Sequence, residues 1–162
     1  MTITITINQE SINNLDLSPV LTVIEPLLQE EKITSHEQQL QFVINYVREA
    51  NDPRELSEIP EVRLWFVRLD SKYPWLPFLL NWQAKEFVRY TAMLVPHHFS
   101  AQDGIQYNPE ALEIFLMHKT FILHDWLKQQ GIPSQFRLKS LAQILGYELD
   151  DAFFGLIEKT QG

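Results

Sequence analysis

The sequence predicts an α+β fold: a helix-dominated single domain spanning residues 1–162, with a small antiparallel sheet formed by an amino-terminal strand and a hairpin near residues 94–107. Three observations predict it. TITITI, Thr2–Ile7, alternates apolar and polar residues with period two, as a half-buried strand does. In VPHHFSAQDGIQYN the pair Asp103-Gly104 is a turn signal between two short β-like runs. Elsewhere, apolar residues recur at helical spacing behind proline, serine or asparagine starts.

Taken in order, LSPVLTVIEPLL is read as a helix opened by Ser18 with Pro19 at its first position. SHEQQLQFVINYVREA then matches a capping box, with Gln38 three residues after Ser35. Leu40, Val43, Ile44 and Val47 form its apolar stripe, so a helix is expected there. Asp52 and Pro53 read as a further cap and first turn. IPEVRLWFVRLDSKYP favours a helix from Pro60 that buries Val62, Trp65, Phe66 and Leu69, with Leu64 and Val67 flanking, although its aromatic and β-branched content also suits a strand. YPWLPFLLNW, Tyr73–Trp82, is broken into short turns by its two prolines. QAKEFVRYTAML is helical, with Phe87 and Tyr90 inward. The longest helix starts at Asn108, its cap, with Pro109 in the first turn; Ala111, Ile114, Phe115, Met117, His118, Phe121, Ile122 and Trp126 are expected to cover its broad apolar face, and Gly131 to stop it. Two short helices, SLAQILGY and DDAFFGLIEK, follow.

A chain 45% hydrophobic and 21% charged can bury one proper core. With no cysteine, disulfides, thiol nucleophiles, thiolate zinc sites and cysteine-ligated clusters are excluded. The amino terminus lacks a basic segment followed by an apolar run, and no apolar run reaches membrane-spanning length. A soluble, intracellular protein with no stable membrane insertion is therefore expected. The net charge of −8 is uneven: residues 1–60 hold ten acids against three bases, whereas residues 61–162 are nearly balanced. Such acidity disfavours nucleic acid and anionic lipid, and suits solubility or a basic protein partner.

Catalytic and metal signatures are weak. His97 and His98 are adjacent and in a strand face opposite ways, and His118 and His124 lie roughly 240° apart around a helix. No phosphate-binding glycine loop, GxSxG elbow or HExxH occurs, and Asp150 and Asp151 are more economically helix caps than an acid pair. The LKSLAQILGY and DDAFFGLIEK pair resembles a helix-turn-helix in outline, but its second helix opens with two aspartates, which repel a phosphate backbone. No cofactor is expected.

DPRELSEIPEVRLWFVRLDSKYPWLPFLL (Asp52–Leu80), RYTAMLVPHHFS (Arg89–Ser100) and YNPEALEIFLMHK (Tyr107–Lys119) resemble the chlororespiratory reduction 6 family of oxygenic phototrophs. The resemblance centres on residues 52–130 and leaves residues 1–50 poorly matched. It implies a non-enzymatic assembly factor for the photosynthetic NAD(P)H dehydrogenase-like complex, aiding incorporation of the iron–sulfur subunit I into the hydrophilic arm. Its implied partners are that subunit and other hydrophilic-arm subunits. It also implies a cytoplasmic protein of cyanobacterial type, plant members acting in the chloroplast stroma. Aromatic residues beside arginine are common interface anchors, so Arg63, Arg68, Tyr73, Trp75 and Trp82 are the candidate partner-binding residues, followed by His97 and His98 at the hairpin. Core packing competes for the aromatic members. The alternative reading is a small enzyme with its site at the His97-His98 hairpin.

Overall fold

The structure, a computed structural model, describes residues 2–30 and 33–161. It is of α+β type and consists of two compact units, residues 1–107 and 108–162.

The first unit begins with β1 (Ile3–Asn8), in which Ile5 and Ile7 are buried and the threonines exposed, as the alternation predicts. A short helix, α1 (Gln9–Asn13), ends with Leu15 in the left-handed region at φ 51°. The Asp16 amide reaches back to the Ser11 carbonyl at 2.7 Å and the Leu15 amide to Ile12 at 3.1 Å, a double closure that satisfies the helix end. Helix α2 (Ser18–Glu30) follows. Its start differs from expectation: Ser18 is already helical, and the capping acceptor is the Asp16 carboxylate, which takes the Ser18 amide at 3.0 Å and its hydroxyl at 2.6 Å.

The expected helix at 35–50 is a strand instead. β2 (Leu40–Asn45) runs parallel to β1, in register from Ile3 opposite Leu40 to Asn8 opposite Asn45. Leu40 and Phe42 are buried with period two, whereas Val43 and Val47 of the anticipated helical stripe are exposed. Ser35 ends a 3₁₀ turn and Gln38 adopts φ 62°, so no capping box forms. The cause is tertiary. The Leu40 amide donates to Leu79 at 2.6 Å, and the Leu40 carbonyl accepts from Asn81 at 2.9 Å. A backbone satisfied from both sides, with Phe42, Val43 and Ile44 suited to a pleated surface, outweighs a local helical pattern. The amino-terminal strand therefore belongs to this parallel pair, not to the antiparallel sheet. Asp52 likewise opens no helix; its carboxylate accepts from the Arg54 amide and guanidinium in a tight turn.

Helix α3 (Pro60–Lys72) forms as read, with proline in its first turn and Val62, Trp65, Phe66 and Leu69 buried. Phe66 is the hub of the core, edge-on to Phe42 at 5.4 Å, Trp65 at 5.0 Å and Tyr90 at 5.7 Å. Each such pair adds about 0.5–1.5 kcal/mol beyond the burial of its area. The YPWLPFLLNW segment makes two 3₁₀ turns, Leu76–Phe78 and Trp82–Ala84, before α4 (Glu86–Leu94). The hairpin is present as β3 (His97–Ser100) and β4 (Gly104–Tyr107), antiparallel, with Gly104 at φ 75°. That angle is the reason glycine closes the turn.

The second unit is helical. In α5 (Pro109–Gln129) the Asn108 side chain accepts the Ala111 amide at 3.1 Å, and Gly131 at φ 71° follows the end. The buried face is not the expected one: Leu112, Leu116, Leu123 and Leu127 are inside with Lys119, Thr120 and His124, while Ile114 and Phe121 are exposed. The helix is apolar on nearly every side, so counting apolar residues could not select the face. The Thr120 hydroxyl donates to Leu116 at 2.8 Å, and the Lys119 ammonium lies over the Phe115 ring. Helices α6 (Gln135–Ile144) and α7 (Asp151–Gln161) complete the unit. The Asp150 carboxylate caps α7 through the Phe153 amide at 2.9 Å, and Asp151 pairs with Lys139 at 2.5 Å.

Candidate partner-binding site

The seven candidate residues separate by burial. Tyr73 and Trp75 are 3% and 5% exposed, stacked edge to face at 5.2 Å, and the Tyr73 hydroxyl donates to Glu25 at 2.6 Å. Burial, then that carboxylate neighbour, raises the Tyr73 hydroxyl well above its ordinary range. Both rings are core, so neither is an exposed anchor. Trp82 is half-buried: its indole N–H donates to the Pro77 carbonyl at 2.6 Å and its ring tilts against Phe87 at 6.0 Å. Arg63, also half-buried, donates to the Ser57 carbonyl at 3.2 Å and ties α3 to the turn before it. Only Arg68 and His98 stand fully exposed.

The structure does not bring the hairpin histidines together. His97 pairs with Tyr107 and His98 with Gln106, on alternate faces of the strand. The His97 Nδ1 lies 2.9 Å from the Val95 carbonyl, which fixes it as the N–H donor and leaves a buried Nε2 without a partner. A shallow pocket of about 360 Å³ beside the hairpin is lined by Pro53, Arg54, Glu58, Phe99 and Ala101, not by either histidine. Its ionisable groups hold local structure. Arg54 grips Asp52 at 2.9 Å, and the Glu58 carboxylate accepts the Glu55 amide at 2.8 Å. The bond to Arg54 lowers the Asp52 carboxyl to about 2. Among the described residues, no group of three or more histidine, aspartate or glutamate side chains is placed to hold a metal ion.

Arg68 belongs to a different surface, which sequence reasoning missed. A groove of about 470 Å³ runs along the last turns of α3, lined by Arg68, Ser71 and Lys72 on one side and by Leu15, Asp16, Leu17 and Leu21 on the other. The corner at Asp16 is pinned to α3 by the Trp65 indole, which donates to the Asp16 carbonyl at 2.9 Å. Leu64 and Val67, 53% and 42% exposed, continue the outer face of α3 beyond the groove. At about 100° per residue, positions 64, 67, 68 and 71 share one side of the helix, opposite the buried 62, 65, 66 and 69, while Lys72 lies at the edge of that side, close to the angle of Trp65. In sequence, Leu64 and Val67 looked like flanks of the core; the readable signal was that a stripe at 62, 65, 66 and 69 leaves them facing outward.

The family model for chlororespiratory reduction 6 matches residues 7–156. The chain belongs to the chlororespiratory reduction 6 family. The match takes in most of the amino-terminal third, β2 included, and extends over residues of both units. The chlororespiratory reduction 6 family is one of assembly factors for the NAD(P)H dehydrogenase-like complex. No solved structure matches the chain. No described helix is long and apolar enough to cross a membrane.

Proposed function

We propose that this protein is an assembly factor that binds the iron–sulfur subunit I of the photosynthetic NAD(P)H dehydrogenase-like complex while the hydrophilic arm is built, acting in the cytoplasm of a cyanobacterium and performing no chemistry of its own. The observation that carries the proposal is the family match over residues 7–156. The chain's residue chemistry agrees with a binding role. Without cysteine it offers no thiolate to a cluster, so its part is to hold and shield a client surface. We assign client contacts to exposed Arg68 on α3 and, on a separate surface, exposed His98 at the hairpin, with half-buried Arg63, Trp82 and His97 as secondary members; Tyr73 and Trp75 are core.

The alternative of an enzyme at the His97-His98 hairpin has less support. The two rings diverge, and the acid and base in the adjacent pocket are already bonded to their own turns.

The test is mass spectrometry of proteins co-purifying with the tagged chain from native extract at low and at high salt. Enrichment of hydrophilic-arm subunits, the iron–sulfur subunit foremost, is the expected result. A folded bait that retains none of them rejects the assembly reading for this chain.

A further inference from the structure

We infer that the outer face of α3 and its groove form a docking site for an acidic, leucine-rich or similarly amphipathic segment of a partner protein. The inference rests on the reading of this chain as a binding protein, and it specifies the partner's chemistry.

The first argument is charge. The chain is acidic overall, yet this face presents Arg68 and Lys72 one helical turn apart. Arg68 has no ion pair or hydrogen bond to a described residue, and the Lys72 ammonium meets only the Tyr73 ring at 5.7 Å. Among the groove-lining residues the one acid is Asp16, whose carboxylate accepts from the Ser18 amide and hydroxyl, neutral donors that leave its charge in place. Two cations against one carboxylate give the groove a local positive surplus in a chain of net charge −8, which favours an anionic occupant.

The second argument is shape and apolarity. The groove lining includes Leu15, Leu17 and Leu21, and Leu64 and Val67 are exposed on the same helix as its cations. Apolar side chains flanked by two cations match a segment that alternates apolar and carboxylate residues, the helix-in-groove mode of recognition.

Because the chain has no cysteine, Ser71→Cys gives a single labelling site within the groove. The full-length variant, labelled with a benzophenone maleimide, is irradiated in native extract, and the crosslinked partner peptide is sequenced by mass spectrometry. Label at Val47→Cys, exposed just past β2 and outside both candidate surfaces, is the control. The expected result is a Ser71-specific crosslink to a segment rich in glutamate or aspartate with spaced apolar residues. Its yield should fall about tenfold in Arg68→Glu/Lys72→Glu, since two attractive pairs become repulsive. Both cations lie on the surface, so that variant should retain the wild-type circular dichroism spectrum. No crosslink, a segment lacking acids, or a yield unchanged by the charge reversal overturns the inference. A crosslinked acidic segment from a protein outside the complex upholds the groove and counts against the assembly reading. Co-purified hydrophilic-arm subunits without a Ser71 crosslink do the reverse.

Discussion

Glu86 opens α4 with its side chain buried, and burial pushes its carboxyl above the ordinary carboxylate range, opposed by the Arg89 guanidinium at 4.0 Å and the Phe42 amide. A raised pKa in the folded state means stability is fully present below the unfolded pKa and is lost as pH rises through the folded one. Glu86→Gln removes the charge but retains an acceptor for the amide. Its melting temperature should match the wild type near pH ~4, where both side chains are neutral, and exceed it by a few degrees near pH ~7. A variant less stable at every pH would show that the Arg89 and amide contacts outweigh desolvation. The tyrosines set the opposite limit of the pH range. Burial raises the Tyr107 hydroxyl to about 12, and its O–H donates to the Val88 carbonyl at 2.9 Å. Tyr73 and Tyr90 are raised by burial and by their carboxylate partners, Glu25 and Asp70. All three ionise first in the unfolded chain, so stability should hold up to about pH 10 and fall steeply above it. Urea midpoints measured across that window should show a shallower decline in Tyr107→Phe.

At the scale of elements, the β1–β2 pair makes the sharpest claim. Phe42 is 3% exposed and meets Trp65 and Phe66 edge-on, whereas Val47, just past the strand, is 79% exposed. Phe42→Ala should cost about 3–5 kcal/mol in urea denaturation, and Val47→Ala less than about 0.5 kcal/mol. A helix through this segment would give Val47 a core position, so a large Val47 effect would restore that reading. The contrast also explains what could be read from the chain alone. Helix α3, the Asp103-Gly104 hairpin and the Asn108 cap were legible because their causes are local: a proline, a turn dipeptide, an amide within three residues. β2 was not, because the backbone that pairs with it comes from Ile3–Asn8 and Leu79–Asn81, and its own residues also satisfy helical spacing. The buried face of α5 was hidden by apolar residues around the whole helix. Among the candidate residues, exposure was legible only in part. Arg68 could be named from its aromatic surroundings, but Tyr73 and Trp75 are core, and Lys72, Leu64 and Leu15 become a surface only once α3 is set against the Asp16 corner.

For the whole molecule, the acidic amino-terminal third and the Arg68-Lys72 groove assign separate roles to charge. If a client segment docks in the groove as proposed, the groove cations act on how long the complex survives. Glu10, Glu30 and Glu49 are exposed, and none of them lines the groove; their effect on a basic client face is carried through solvent. At that range the contribution is to encounter, screened over about 10 Å at 0.1 M salt. Glu10→Gln/Glu30→Gln/Glu49→Gln should therefore lower the association rate for purified iron–sulfur subunit several-fold at low salt while leaving dissociation nearly unchanged, and the difference should close at about 0.5 M salt. Arg68→Glu/Lys72→Glu should instead speed dissociation, in keeping with short-range contacts. Biolayer interferometry across a salt series separates the two. If the triple variant associates at the wild-type rate even at low salt, the acidic third does not steer the client, and its surplus charge is left with colloidal solubility as its role, measurable as earlier aggregation of the same variant on concentration.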